Sequence, residues 1–316
     1  MSEQQQFKNK AIKQQNMKKI ALLTILFTFI SITIFPQSAG NSGLSFLKLG
    51  FGARNIAMGD AGAAVSNDVT SLFYNPAKLA GSENSEIMFM HNQWIQDIRS
   101  ELLGVKFNFL SLPLALGINV TSINDIEVRT RPGNPETTFN ANYTFVSLST
   151  GFHLVDNLSF GATIKYLYEG LYTDESNGFG FDFGLNYKTI FEGLSFAAAI
   201  RNLGSMNRLR VEKTQLPNEL RIGPSYQFNL PSNFQVTAAA EFLKYLQAND
   251  IHFNFGAEIL YNNLIALRGG YQTGYISKGF TGGVGLRWGN LSFDYAISPF
   301  QLGLGSGNSI SLNFKF

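Results

Sequence analysis

From residue 86 onward, apolar and polar positions alternate along the chain in short segments. Phe179, Phe181, Phe183, Leu185 and Tyr187 share one face of an extended segment, while Gly180, Asp182, Gly184 and Asn186 share the other. Ile251, Phe253, Phe255, Ala257 and Ile259 likewise oppose His252, Asn254, Gly256 and Glu258. The chain ends in the same pattern, with Ile310, Leu312, Phe314 and Phe316 opposing Ser311, Asn313 and Lys315. A period of two is the signature of a β-strand with two unlike faces. The pattern predicts fourteen strands, at 86–95, 101–110, 113–122, 143–153, 158–169, 178–188, 194–202, 219–228, 233–244, 251–261, 264–272, 279–288, 290–298 and 308–316. An all-apolar strand face needs an apolar cover, which is either the hydrocarbon of a membrane or the core of a soluble sandwich.

The connections separate these two readings. Those after even-numbered strands are short, as at 111–112, 154–157, 229–232, 262–263 and 289–290, with 189–193 the longest. Those after odd-numbered strands are mostly long, among them 123–142, 203–218 and 299–307. Sorting by parity is expected of an outer-membrane barrel, with tight periplasmic turns and longer outer loops, and a soluble sandwich or propeller has no reason for it. Segments of about 9 to 11 residues also suit a tilted strand crossing a bilayer.

Charged positions give the faces an inside and an outside. Lys106, Lys165, Asp182, Arg201, Arg221, Glu241, Glu258, Arg268, Arg287, Asp294 and Lys315 all fall on the polar faces of their strands. A Lys or Arg on the lipid face costs about 2 to 4 kcal/mol at mid-membrane, so these groups are expected to form a charge network in the lumen. An interior of fourteen strands is wider than side chains can fill. Residues 41–85 lack strand alternation, are rich in Gly and Ala, and offer short helical turns at 53–58 and 77–80. They are read as a hatch inside the lumen.

Composition agrees. Charged residues make up only 15% of the chain, against roughly 25% in soluble domains, and Phe reaches 29. With no cysteine, a disulfide framework and thiolate metal sites are excluded. Lys18 and Lys19 precede an apolar run over 20–35, followed by Pro36, Gln37, Ser38, Ala39 and Gly40, a secretory-signal pattern. Residues 1–40 are therefore expected to be an amino-terminal extension plus a removed signal, the natural start being Met17. Without them the charge balance becomes slightly acidic, and no basic face for nucleic acid is expected.

His91, His153 and His252 lie on separate strands with no metal-ligand spacing, so no metal site is expected. No nucleophile elbow supports an esterase-like triad, so no catalytic residue and no cofactor are expected. Gly269, Gly270, Gly282 and Gly283 read as bends in a barrel wall.

The run from Gly43 through Phe46, Leu47, Lys48, Gly52, Ala53, Arg54, Ala57, Met58 and Gly59, followed by Tyr74, Asn75, Pro76, Ala77, Leu79 and Ala80, resembles the PorV/PorQ family of Bacteroidetes outer-membrane proteins, which is related to the FadL-type fatty acid transporters. The resemblance implies a monomeric all-β transmembrane barrel with an internal hatch over 41–85 and a wall over 86–316. It also implies an accessory or cargo-binding role in type IX secretion. Translocon subunits and carboxy-terminal-domain cargo would then be partners, beside outer-membrane lipid. The alternative it leaves is passive transport of a hydrophobic compound, with a lipid-like ligand between hatch and wall.

Within that frame, the hatch motif residues are Gly52, Ala53, Arg54, Met58, Gly59, Asn75, Pro76 and Ala77. Asn75 and Pro76 either shape a gate or cap a turn that wedges the hatch. Arg54 is expected to pair with Glu258 or Asp294, as an anchor rather than a substrate contact. Arg129, Arg131, Phe300, Leu302 and Leu304 form the expected partner rim on the outer loops, the last loop either facing a partner or folding over the lumen. Phe316 carries the expected signal for barrel assembly.

Overall fold

The computed structural model describes residues 43–81 and 84–316. The extension and export signal expected over 1–40 lie outside the described residues. The wall is built from β1 (Glu86–Gln93), β2 (Arg99–Phe109), β3 (Leu112–Val128), β4 (Thr137–Val155), β5 (Leu158–Leu171), β6 (Asp174–Lys188) and β7 (Leu194–Met206). After a small hairpin of β8 (Arg208–Leu209) and β9 (Glu212–Lys213) it continues with β10 (Glu219–Leu230), β11 (Phe234–Tyr245), β12 (Ile251–Tyr261) and β13 (Ile265–Thr273). It ends with β14 (Phe280–Trp288), β15 (Leu291–Pro299) and β16 (Ser306–Lys315).

Fourteen of these strands form one closed antiparallel barrel, in which β7 pairs with β10 and β16 returns to β1. At that seam Glu86 faces Lys315 and Gln93 faces Asn308. The barrel sheet has no open edge, as a bilayer requires of strands that cross it. No helix among the described residues is long and apolar enough to cross a membrane.

The faces are inverted relative to a soluble protein. Phe179, Phe181, Leu185, Ile259, Leu312 and Phe314 are 40–52% exposed, whereas Asp182, Arg201, Glu219, Arg221 and Asn254 are 0–1% exposed. The exposed side is the lipid side and the polar side is the interior, so the sandwich reading falls.

Short turns cluster at the end that holds the carboxy-terminus, where the Phe316 backbone N–H donates to the Ser85 carbonyl at 3.0 Å. In one of them Asn262 and Asn263 both take positive φ (50° and 51°), which lets the two strands turn back tightly. By parity this end is periplasmic. At the other end the expected loop 123–142 is mostly strand. A bulge at Ile123/Ile126, with Asp125 at φ 57°, breaks the alternation while the hairpin continues, so the connection proper is residues 129–136. The expected loop 203–218 likewise contains the last turn of β7 and the β8–β9 hairpin.

Residues 43–81 run through the lumen as short turns: 3-10 segments at Ser45–Lys48 and Pro76–Gly81, and helical segments at Ala53–Ala57, Gly62–Val65 and Ser71–Tyr74. Helices this short have no stability of their own, so their shape is set by what surrounds them. Phe46, Phe51 and Phe73 pack with Phe145 of β4 at centroid distances of 5.9 to 6.1 Å, and Phe51 stacks on Phe73 at 4.8 Å, in a core shared by hatch and wall.

Candidate functional site

Two polar clusters and two glycine floors hold the hatch to the wall. In the first cluster, Glu258 of β12 receives Arg54 in a two-pronged pair, at 2.9 Å from Nε and 2.8 Å from Nη2. Its Oε2 also accepts from Arg268 Nε of β13 at 2.6 Å, and Arg268 Nη1 reaches Asp294 of β15 at 2.7 Å. Burial works against the Arg54 charge, but the Glu258 carboxylate outweighs it, so the Arg54 pKa is raised.

Arg221 of β10 is the hub of the second cluster. Its guanidinium meets Glu219 at 3.0 Å, Glu241 at 2.7 Å and Asp60 of the hatch at 3.1 Å. Glu219 also pairs with Arg201 of β7. Lys165 of β5 sits 2.7 Å from Asp182 of β6 and donates to the Asn202 side chain at 2.8 Å. A bulge explains how both Arg201 and Asn202 face inward. Between Phe181 and Phe183 the β6–β7 register slips, and Asn202 takes φ 60°, so consecutive residues share the lumen side.

Wall side chains also serve as caps for the hatch backbone. Glu241 accepts the Ala63 N–H at 2.7 Å, Glu86 that of Val69 at 3.0 Å and Ser311 that of Ala53 at 2.8 Å. Asn75 donates to the carbonyls of Ala63 at 3.1 Å and Leu185 at 3.0 Å, while its own oxygen accepts from Ala77 N at 3.1 Å. Asn75 therefore caps a turn and ties it to the wall.

The glycine floors are the feature that the strand pattern did not suggest. A Cβ on Gly161 would lie 2.2 Å from the Pro76 carbonyl carbon, and one on Gly184 1.9 Å from Asn75 Oδ1. On the opposite wall, a Cβ on Gly256 would meet the Met58 oxygen at 2.3 Å and one on Gly270 the Gly59 nitrogen at 2.0 Å. Gly283 lies under Ala57 in the same way, at 2.6 Å. Gly270 is thus a seat for hatch backbone and Gly283 one for the Ala57 methyl group, while Gly269, with nothing near its open side, is neither. Gly59 and Met58 complete that contact, while Gly52 enters the Ala53 turn at φ 81°.

Of the sequence-predicted lumen charges, Lys165, Asp182, Arg201, Arg221, Glu241, Glu258, Arg268 and Asp294 join these clusters, and Lys106 pairs with Glu86 at 3.3 Å. Two do not join. Arg287 reaches only Asn263 in a periplasmic turn, at 3.1 Å, and Lys315 is exposed at the same end. Parity puts them on the inner face, but their depth along the barrel axis leaves Arg287 half-buried at the turn and Lys315 exposed, each outside the two clusters. Asp60, Glu86 and Glu219 were missed. Glu219 and Arg221 share a face at spacing two, which was the available signal; nothing local marks Asp60.

The rim residues are dispersed. Arg129 pairs with Glu127 at 2.6 Å and donates to the Gly133 carbonyl, while Arg131 is exposed. Phe300 packs edge-on against Trp94 at 4.7 Å, and the Gln301 N–H donates to the Ser277 carbonyl at 2.9 Å, so the last loop lies across its neighbours. Leu302 remains 74% exposed and Leu304 37%. The Phe316 ring stacks on Phe314 at 6.2 Å on the lipid face. Among the described residues no three His, Cys, Asp or Glu side chains are grouped as metal ligands.

A family model described as "Type IX secretion system protein PorV" matches residues 36–251, which is more than half of the chain. No curated protein matches it. Several solved structures share the fold. The toluene transporter TodX of Pseudomonas putida aligns at TM-score 0.58 and 15% identity, over 84% of this chain and 97% of that one. The Ralstonia pickettii toluene transporter TbuX gives 0.53 and 16%, over 84% and 97%. The CymD monoaromatic hydrocarbon channel gives 0.56 and 14%, over 84% and 96%. At these identities the likeness extends to the fold alone.

Proposed function

The chain belongs to the PorV family of type IX secretion system proteins, and from that membership we propose that it works at the outer membrane as a closed, non-enzymatic barrel that binds secretion partners through its outer loops. Secretion cargo and translocon subunits are the partners this reading names, and a single barrel is the unit that acts.

The observation that carries the reading is the seal. Arg54–Glu258 and Arg221–Asp60 fasten the hatch at two sites on the wall, and both pairs are buried. The rings of Phe46, Phe51 and Phe73 occupy the apolar part of the lumen that a migrating hydrophobic compound would need. A barrel filled in this way is better suited to presenting a surface than to conducting. Its outer end supplies that surface: the β3–β4 hairpin is the longest pair in the wall, at 17 and 19 residues, and its tip carries Arg129 and Arg131 in water.

Affinity purification from the native host tests the proposal. The tagged protein is expected to bring down translocon subunits or carboxy-terminal-domain cargo, and replacing residues 129–136 with a Gly/Ser linker is expected to weaken that capture while leaving membrane insertion intact. Capture of neither class by the wild-type protein would overturn it.

A further inference from the structure

Among the described residues the half-buried lysines Lys48, Lys78 and Lys278 stand in no ion pair; Lys48 lies over the Tyr245 ring and Lys278 over Trp94 and Tyr275, whereas Lys78 has no such cover. It stands in the Pro76–Gly81 turn of the hatch, half-buried, and no carboxylate or hydrogen-bond acceptor among the described residues holds its ammonium group. Its nearest charged influences are two more cations, Lys188 at the periplasmic end of β6 and Arg54. Burial first, and then those like charges, push the Lys78 pKa down to about 8.

Both lysines line one cavity of about 480 Å3, between the hatch and the turn that joins β6 to β7. Asn67, Ser195 and Gln227 add polar side chains to its lining, and among the described residues Glu192 is the one carboxylate there, on the exposed turn and in no ion pair with either lysine. The turn is held in place from several directions. Thr189 N–H donates to the Leu194 carbonyl at 3.0 Å, and the Gln227 N–H to the Gly193 carbonyl at 3.0 Å. Thr189 Oγ1 accepts from Phe191 N at 3.1 Å. Because short turns mark the periplasmic end, the cavity opens to the periplasm.

Two ammonium groups lining a common space, neither in an ion pair with an acid among the described residues, repel each other, and a shared anion converts that repulsion into two charge-assisted hydrogen bonds. Lysine is well suited to such a role as a compact point charge on a flexible stem. The volume exceeds that of a bare oxyanion, leaving room for an organic group attached to it.

We propose that this cavity is a periplasm-facing binding site for a tetrahedral, phosphate-type oxyanion, held between the ammonium groups of Lys78 and Lys188. The anion comes either as a free phosphate compound or as the phosphate of a lipid headgroup. The site is independent of the secretion role and stands or falls separately from it.

Sulfate is the probe, because it keeps its full charge across the pH range of interest. Isothermal titration of the purified full-length barrel in detergent, without chloride, is expected to show saturable one-to-one binding at pH 7. Affinity should fall about tenfold between pH 7 and pH 9, the change in the protonated fraction of a group titrating near 8. Lys78→Met and Lys188→Met should each weaken binding at least tenfold, and Lys78→Met should abolish the pH dependence. Heat-modifiable migration of both variants on gels checks that the barrels are folded. Competition by inorganic phosphate in lipid-free detergent identifies a free anion as the occupant. Loss of the sulfate signal in phosphatidylglycerol nanodiscs, with binding retained in detergent, identifies a lipid headgroup; either result supports the site. Absence of saturable binding at pH 7, or folded lysine variants that bind as the wild type does, overturns it.

Discussion

Replacing Glu258 by Gln should loosen the hatch far more than removing the hatch's own partner in that pair. Glu258 accepts three charged hydrogen bonds, two from Arg54 and one from Arg268, all at 2.9 Å or less. In Glu258→Gln two guanidinium groups remain in a buried site, with Asp294 paired to Arg268 and Asp68 near Arg54 as the remaining acids. Breaking a buried pair from one side costs about 3 to 5 kcal/mol, because a buried charge is left uncompensated. In Arg54→Met, by contrast, Glu258 keeps Arg268, and the loss should be nearer the 1.5 to 3 kcal/mol of hydrogen bonding to a charged group. At about 3 kcal/mol, the undocked fraction of the hatch rises by about two orders of magnitude in Glu258→Gln. Two assays read this: current steps through the purified barrel in a planar bilayer, and hydrogen exchange at the amides of residues 53–58. Because the pair is buried, the difference should persist in high salt. If Glu258→Gln gave no more current or exchange than Arg54→Met, or if the double variant were simply the sum of the two, the cluster would not be what holds the hatch.

Gly270→Ala should undock or strain the hatch by placing a methyl group 2.0 Å from the Gly59 nitrogen, whereas Gly269→Ala next to it should stay within about 0.5 kcal/mol of wild type; thermal loss of heat-modifiable gel migration compares them. Lys78→Met should make the hatch more resistant to exchange at pH 7 than the wild type, since a cation whose pKa is lowered by the fold destabilises it below its unfolded pKa of 10.5, and the gain should shrink above about pH 8 as wild-type Lys78 loses its proton in the folded state. Deleting Phe316 should lower the yield of barrel inserted in the outer membrane more than it lowers the melting of barrel already inserted; equal losses would assign that ring to packing alone.

Most of the wall could be read from the sequence because a barrel in lipid obeys one rule at every step: alternate side chains meet hydrocarbon. Phe179 to Tyr187 and Ile251 to Ile259 needed no partner to declare their faces. The rule fails where the backbone slips. The bulge that turns Asn202 inward after Arg201 and the one at Asp125 both break the period of two, so β7 and β3 were read too short. Parity also says which side a charge faces but not how deep it lies, and Arg287 and Lys315 are on the inner face yet outside the buried clusters, the one half-buried at a turn and the other exposed. The glycine floors were illegible for a different reason. A glycine in a strand can mark a bend, a bulge or a close approach, and only the position of Met58 and Gly59 decides for Gly256 and Gly270. Asp60 was missed because its partner, Arg221, is 161 residues away.

From Ala53 onward the hatch meets the wall in an order that reverses the chain. Its earlier helical turn, Ala53–Ala57, lies against β13 to β16, the middle turn, Gly62–Val65, against β7, β10 and β11, and the last, Pro76–Gly81, against β3 to β6. The Ala53–Ala57 turn therefore waits for the last strands before it has anywhere to rest. Ala53 cannot give its N–H to Ser311 until β16 is laid down, and β16 is also the strand that zips the barrel shut against β1. Closing the cylinder and seating its stopper are one late event in time, separated from the start of folding by contacts of very long sequence range. Such contacts make slow folding. A chain of this design spends most of its assembly as an open, unplugged sheet, and that interval, more than the finished barrel, is when its polar lining and greasy outer face are in greatest need of a chaperone.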